Sequence, residues 1–368
     1  MKLFACPSCS HIVFFENVVC ERCNHALGYE PAENAMLALE PQDGGWTSVG
    51  TIAPGANWRY CANYEHGVCN WLVPAERAEP FCGCCRHNLV VPNTADAAKV
   101  ALWQKMEIAK RRLFYTLLRL DLPLQTRAED PEGLGFEFLS DDPDAGQKVL
   151  TGHDDGLITI ALVEADDAER EIRRTAMGEP YRTLLGHFRH EIGHWYWDRL
   201  VRDAGRLSAC RAVFGDDTED YATALQAHYA NGPKPNWQND YVSSYAGAHA
   251  WEDFAETWAH YFHIVDTLDT GRSWGFVVNP RVDQEDVLTA MINFDVFAPT
   301  TTIASIADSW LALSAALNAL NRSMGASDPY PFVLSDAVIR KLGFIHDLVH
   351  GRVPADEPAQ QPTMAAPN

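Results

Sequence analysis

Basic charge is scarce in this chain. Its 368 residues carry 29 Lys and Arg against 50 Asp and Glu, a formal charge of −21. Phosphate backbones are held by clustered Lys and Arg, so this balance argues against nucleic acid as a partner. Residues 1–95 keep the same sign, with five basic residues (Lys2, Arg22, Arg59, Arg77, Arg86) against nine acidic ones. A solvated acidic surface that aids solubility is the plain reading of the excess. Long apolar runs are lacking too: none reads as long enough to span a membrane, so no membrane partner is expected. The start, MKLFACPSCS, lacks the pattern of a secretory leader. A cytoplasmic protein is therefore the expectation, and there ten cysteines point to metal before disulfides.

What is present is an ordinary globular composition, 47% hydrophobic and 21% charged, in a length that suits two or three domains. Cys6-Pro-Ser-Cys9 and Cys20-Glu-Arg-Cys23 are two CxxC knuckles whose four thiolates can close one tetrahedral zinc site. The intervening HIVFFENVV reads as a short hairpin segment, and His11 and His25 as bystanders. No CxxC lies beside a βαβ pattern, as a thioredoxin-like redox site requires. A second block holds Cys61, Cys69, Cys82, Cys84 and Cys85. The CxxC spacing of Cys82 and Cys85 favours Cys61, Cys69, Cys82 and Cys85 as a second four-thiolate site, with Cys84, His66 and His87 as competitors. Cys210 stands alone and reads as a buried thiol.

These blocks define a domain plan. Residues 1–30 form a zinc ribbon and 31–55, rich in Pro, Gly and Ala, a linker. Residues 56–95 form a second zinc module, 96–350 the main domain, and 351–368 a disordered tail. In the main domain, residues 101–122 read as its first helix, and GLGFEFLS (133–140) and GLITIAL (156–162) as strands. Asp166 or Asp167 caps the helix begun by AEREIRR. Two amphipathic packing helices follow residue 301.

His190-Glu191-Ile192-Gly193-His194 is the HExxH pattern. Residues four apart share one face of a helix, so His190 and His194 present two imidazoles to one metal. Glu191 is then beside the metal, where a carboxylate takes a proton from water. No HExxHxxGxxH continuation follows, which excludes a third histidine of the metzincin kind. Glu252 and Glu256, four apart downstream, supply the alternative: one ligates and the other hydrogen-bonds a ligand imidazole from behind. Asp198, four residues after His194, reads either as such an outer partner or as a salt bridge to Arg199 or Arg202. His187, His249, His260 and His263 are weaker candidates, of which only His249 competes with a tyrosine for a part in the chemistry. The aromatic group Trp195, Tyr196, Trp197, Trp251 and Trp258 reads as core.

SYAGAHAWEDFAETW (244–258) resembles the matching segment, SYG-x5-E-x-FAE-x-F, of the lethal-factor type of zinc endopeptidase, and more broadly that of gluzincins. The resemblance implies Glu252 as third zinc ligand, Glu256 as its outer partner and Tyr245 as stabiliser of the tetrahedral intermediate. RYCANYEHGVCNWLVPAE (59–76), LGHFRHEIGHWYWDRLV (185–201) and ALNALNRSMG (316–325) are similar to a bacterial family of zinc-binding metallopeptidases that joins a zinc ribbon to a gluzincin-like domain. That resemblance spans nearly the whole chain. The implied fold class is α+β, a largely helical zincin-like (gluzincin) domain preceded by small zinc-ribbon modules.

The expected function is zinc-dependent peptide hydrolysis, with one catalytic and two structural zinc ions and a peptide or protein as substrate. Glu191 is the general base and Tyr245 the oxyanion donor. Cleft binding of an extended peptide is expected at the edge of GLITIAL. The competing readings are an inactive scaffold whose ribbons bind a protein partner, and a zinc amidase acting on a non-peptide substrate.

Overall fold

The computed structural model describes residues 2–141, 148–177, 179, 181–282 and 285–356. At the start, β1 (Phe4–Ala5) and β2 (Ile12–Val13) form a short antiparallel pair with Cys6 and Cys9 in the turn between them. Of HIVFFENVV, only Ile12 and Val13 lie in a named strand. Five strands then make an antiparallel meander: β3 (Ala26–Glu30), β4 (Ala35–Gln42), β5 (Gly45–Val49), β6 (Asn57–Tyr60) and β7 (Leu72–Pro74). The ends of this sheet also approach, with the Tyr29 amide donating to the Asn70 carbonyl at 2.9 Å.

The linker expected at 31–55 is therefore corrected. It supplies β4 and β5, which pair from Ala38↔Val49 to Gln42↔Gly45 and fuse the two cysteine blocks into one sheet. The reason lies in alternation. Leu37 and Leu39 pack with Trp58 and Leu72 on one face, while Met36 and Ala38 join Leu27 and Tyr29 on the other. Gly44, at φ +83°, makes the tight turn between the strands.

β8 (Asn88–Val90) leads into α1 (Ala97–Arg119), whose N-terminus is capped by Asp96 accepting from the amides of Ala98 and Lys99. A second sheet, ordered β10-β11-β9-β8, contains β9 (Gly135–Leu139), β10 (Gly152–Asp154) and β11 (Leu157–Ala161). β8, β9 and β11 run parallel, and β10 runs antiparallel along the outer side of β11. GLITIAL is thus an interior strand paired on both sides, and the edge assignment moves to β10.

Helices follow: α2 (Asp167–Met177), capped by Asp166, α3 (Leu184–Trp197), α4 (Leu207–Phe214), α5 (Tyr221–Asn231) and α6 (Ala250–Ser273). α7 (Ile303–Ser323) and α8 (Asp336–Val349) complete the domain by packing on α6 and on each other. The observed class is mixed helix and sheet. Phe136 and Phe138 of the sheet meet Phe188 of α3, with ring centroids 5.8 and 6.2 Å apart.

By length and composition α7 is apolar enough to cross a membrane, with a mean hydropathy of 1.4 over an 18-residue window. Part of that apolar content serves packing: Ile306, Trp310 and Leu313 are buried in the core. The tail also begins ordered. Val353 is buried, and the Asp356 amide donates to the Gly205 carbonyl. The rest of the expected tail, 357–368, lies outside the described residues.

Two buried acids tie elements together. Glu164, in a 3-10 turn (Leu162–Ala165) after β11, faces Arg173, Arg182 and His187 at 2.8–3.3 Å. Burial opposes its charge, but His187 and Arg182 hold its carboxyl down at about 2. Asp253 of α6 is fully buried against Lys341 of α8 at 2.6 Å.

Lys341→Met should lower stability, because burial already pushes the Asp253 carboxyl up to about 7 and Lys341 is the cation that favours its charge. The unfolding midpoint in urea reads this, and Lys341→Met with Asp253→Leu should recover part of it. Glu164 gives a pH signature. A depressed carboxyl pKa contributes stability that is present above the unfolded value, 4.5, and lost as pH falls toward about 2. Glu164→Gln should therefore melt well below wild type at pH 7, with the gap narrowing by pH 3.

Candidate active site and metal centres

The site is built where α3 crosses α6. Thr183 caps α3 by accepting from the Gly186 amide at 3.0 Å, and HEIGH falls in the helix's later turns. A Cβ on Gly193 would stand 3.1 Å from Ala255 Cα and 3.2 Å from the Trp258 ring. Glycine there lets α6 approach closely enough to put Glu252, in its first turn, opposite both histidines.

His190 Nε2 lies 3.2 Å from His194 Nε2 and 3.1 Å from Glu252 Oε2, and His194 Nε2 lies 3.6 Å from that oxygen. Donors about 2.0–2.1 Å from a tetrahedral zinc sit about 3.3–3.4 Å apart, so this triangle has the dimensions of a zinc face. Glu252 Oε2 is buried and, among the described residues, accepts no hydrogen bond, as expected of an oxygen reserved for a cation. The donor set, two imidazoles and one carboxylate, suits zinc and fits.

Glu256 stands behind His190. The imidazole Nδ1–H donates to its Oε1 at 2.8 Å, and the Ser243 hydroxyl donates to its Oε2 at 2.5 Å. That fixes the tautomer and turns the Nε2 lone pair toward the triangle. Burial disfavours a charged His190, yet Glu252 and Glu256 raise its pKa well above the usual value.

Glu191 is buried on the same helix, close enough that its charge acts on the hydroxyls of Tyr221 and Tyr245. The Tyr245 ring centroid lies 6.0 Å from that of His190. Burial, then the charge of Glu252, keep its phenol protonated far above the ordinary range. It is therefore a standing donor. Trp251 lies against His194 at 3.8 Å between ring centroids, so this member of the aromatic group walls the site and is not only core.

Other candidates fall away. Asp198 pairs with Arg202 at 2.8 Å, while His194 Nδ1 has no hydrogen-bond partner, so the outer-ligand reading of Asp198 is replaced by the salt bridge. His249 accepts from the Trp251 amide through Nδ1, which caps α6, and donates from Nε2 to the Glu219 carbonyl ahead of α5, so both ring nitrogens are used. His260 bonds Tyr330, and His263 bonds Arg189.

The cysteines form two further clusters, Cys6/Cys9/Cys20/Cys23 and Cys61/Cys69/Cys82/Cys85. Sulfur separations of 3.7 Å (Cys6–Cys23), 3.6 Å (Cys9–Cys20) and 3.8 Å (Cys69–Cys82) are too long for disulfides. They match the roughly 3.8 Å between thiolates about 2.3 Å from a tetrahedral zinc. Cys84 is buried outside the second cluster, His66 faces Glu65, and His87 donates to the Leu134 carbonyl.

His25 lies outside the four-thiolate cluster, as expected, yet it acts on one of its members. Its amide and its imidazole, 3.2 Å from Cys23 Sγ, draw that thiol down to about 6, and its other nitrogen meets Glu40. The reading of the residues also missed Tyr221, whose hydroxyl donates to Glu252 Oε1 at 2.5 Å, and Ser243. Ser243 adjoins the segment that carries the resemblance, so its neighbourhood was a signal. Tyr221 gave none.

Residues 99–348 match the family described as "Putative zinc-binding metallo-peptidase", and residues 3–96 match a zinc-ribbon domain. The chain is 43% identical over 363 residues to uncharacterized proteins of Mycobacterium tuberculosis and Mycobacterium bovis, covering 98% of this chain and 98% of each relative. No solved structure matches it.

Gly193→Val should separate α3 from α6. The expected result is a destabilisation of about 1–3 kcal/mol, as for other overpacked cores, with weakened metal binding by His190, His194 and Glu252. Zinc content and urea unfolding measured on the same preparation check this. Unaltered values for both would contradict the role given to this glycine.

Proposed function

The chain belongs to the family of zinc-binding metallo-peptidases, and we propose that it hydrolyses peptide bonds with one catalytic and two structural zinc ions. The carrying observation is the convergence of His190, His194 and Glu252 on one point, with Glu191 on the same helix and Tyr245 beside it. His190, His194 and Glu252 would hold the catalytic ion, as in a gluzincin site, and the two cysteine clusters the structural ones. Bound zinc supplies Lewis acidity toward a water and a carbonyl.

The remaining work falls to side chains. Glu191 takes a proton from the attacking water and returns it to the leaving amine, which needs a carboxylate held close and ionised. Tyr245 enters the reaction neutral and donates to the carbonyl oxygen as negative charge gathers there, an interaction worth about 3 kcal/mol. Glu256 keeps His190 in the tautomer that offers Nε2. Among the described residues, β10, the outer strand beside α3, has one side free of strand partners for an extended peptide. A peptide or protein substrate fits such an edge better than a small amide does.

Ten unpaired cysteines, eight of them clustered at metal spacing, fit a reducing compartment such as the cytoplasm. The ribbon exposes Ile12, Phe14, Val18 and Val19, which would serve a protein partner or a substrate being presented.

Glu191→Gln tests the reading. Cleavage of a proteome-derived peptide mixture should fall by at least about 100-fold, the usual share of general-base catalysis, while zinc content stays at the wild-type level. Cleavage at the wild-type rate would refute this assignment. Glu252→Ala should lose one zinc and leave the cysteine-bound ions in place.

A further inference from the structure

The two oxygens of Glu252 have different surroundings. Oε2 faces the imidazoles of His190 and His194 and accepts no hydrogen bond, whereas Oε1 accepts from the Tyr221 hydroxyl at 2.5 Å. A carboxylate with both oxygens free can swing between one-oxygen and two-oxygen binding of a metal. We propose that Tyr221 is a positioning residue of the metal centre, which occupies Oε1 and leaves Oε2 as the single oxygen offered to the cation. This rests on the reading of His190, His194 and Glu252 as a zinc site, and it adds to that site a residue from a separate helix.

The fold aims the hydroxyl from several sides. Tyr221 opens α5, whose N-terminus is fixed by Asp220 accepting from the Thr223 amide at 2.8 Å. Its ring stands edge-on to Trp251 at 5.5 Å and to His249 at 5.4 Å. Both neighbours are themselves held. Trp251 packs on His194, and His249 is bonded through both nitrogens at the start of α6.

The rest of α5 explains why the tyrosine is the point of attachment. Within that helix only Ala224 is buried, and the segment is bounded by Gly215 and Gly232, both at positive φ. The helix gains little from apolar packing, and its ties to the site are the Tyr221–Glu252 bond, the two aromatic contacts of Tyr221 and the His228 ring 6.0 Å from that of Tyr245. Partners placed behind metal ligands in this way are typically worth about 10- to 100-fold in metal affinity.

The test uses the full chain loaded with zinc, titrated with a chromophoric chelator while retained zinc is counted. In Tyr221→Phe, the ring contacts survive and only the hydroxyl goes. The expected result is one site weakened about 10- to 100-fold, with the two cysteine sites and the unfolding midpoint as in wild type. Wild-type affinity at every site of Tyr221→Phe would overturn the proposal, as would equal weakening of the cysteine sites, which marks general damage. The parent reading fails separately: if wild type and Glu252→Ala retain the same zinc, no ion sits on Glu252, and the role of Tyr221 falls with it.

Discussion

The contact between α3 and α6 at Gly193 is the constraint on which the site depends. Two helices that carried ordinary side chains at this crossing would stand further apart, and Glu252 would not reach the imidazoles of His190 and His194. The approach of Gly193 to Ala255 and Trp258 sets the spacing, and Trp258 also stacks on Tyr196 at 4.8 Å, which fixes the rotation of one helix against the other. One turn and more away, Arg189 pairs with Asp266, and the Thr116 hydroxyl of α1 donates to Asp266 at 2.6 Å. The crossing is thus held by close packing at its centre and by a buried polar tie at its flank. The glycine inside HEIGH matters as much to the geometry as the histidines matter to the chemistry.

Buried carboxylates are expensive, and the way each is compensated separates structure from function. Glu164 meets two arginines and a histidine, Asp253 meets Lys341, and Asp266 meets Arg189. Each of these has a permanent cation from another part of the chain and serves to join elements. Glu252 has none. Its ionisation is favoured by His194 and His190, and its remaining support is a phenol. A buried acid answered only by titratable rings and one hydroxyl is unusual for a structural pair and natural for a metal ligand. The same comparison explains Asp198, whose neighbour Arg202 makes it one more tie on the α3 side.

Local rules made the centre of the site legible in the sequence. The four-residue spacing of His190 and His194 and of Glu252 and Glu256 needs only a helix, and both segments are helical. CxxC pairs likewise announce metal sites because the knuckle is local. What stayed hidden depended on distant pairing. β11 looks the same in sequence whether it lies at an edge or inside, and only β10 folding along it decides. Pro, Gly and Ala in 31–55 suggested a linker, although the Asp43-Gly44 turn and the apolar alternation before it were a hairpin signal that went unread. Tyr221 lies 31 residues from Glu252 on another helix, and no spacing rule connects them. Asp198 was ambiguous because its local salt bridge and its candidate outer role share one register.

The cysteine clusters are joined to this geometry and are not appendages. Beneath the second cluster, Glu107 and Lys110 form a fully buried pair at 3.0 Å, the Trp103 and Asn88 side chains also donate to Glu107, and Arg111 bonds the Val68 carbonyl. Four thiolates around a divalent ion carry a net charge of about −2, which would be costly beside a buried carboxylate alone. Lys110 and Arg111 answer it, and both are held charged despite burial by Glu107 and by neighbouring cysteines. The same helix reaches the other way. Phe114 lies between His87 of the ribbon and Phe136 of the sheet, Phe136 meets Phe188 of α3, and Thr116 meets Asp266 of α6. A continuous path of packed rings and buried charges therefore runs from the second cysteine cluster through α1 to both helices of the candidate active site. Ordering the ribbon and ordering the α3–α6 crossing are, on this path, one folding problem.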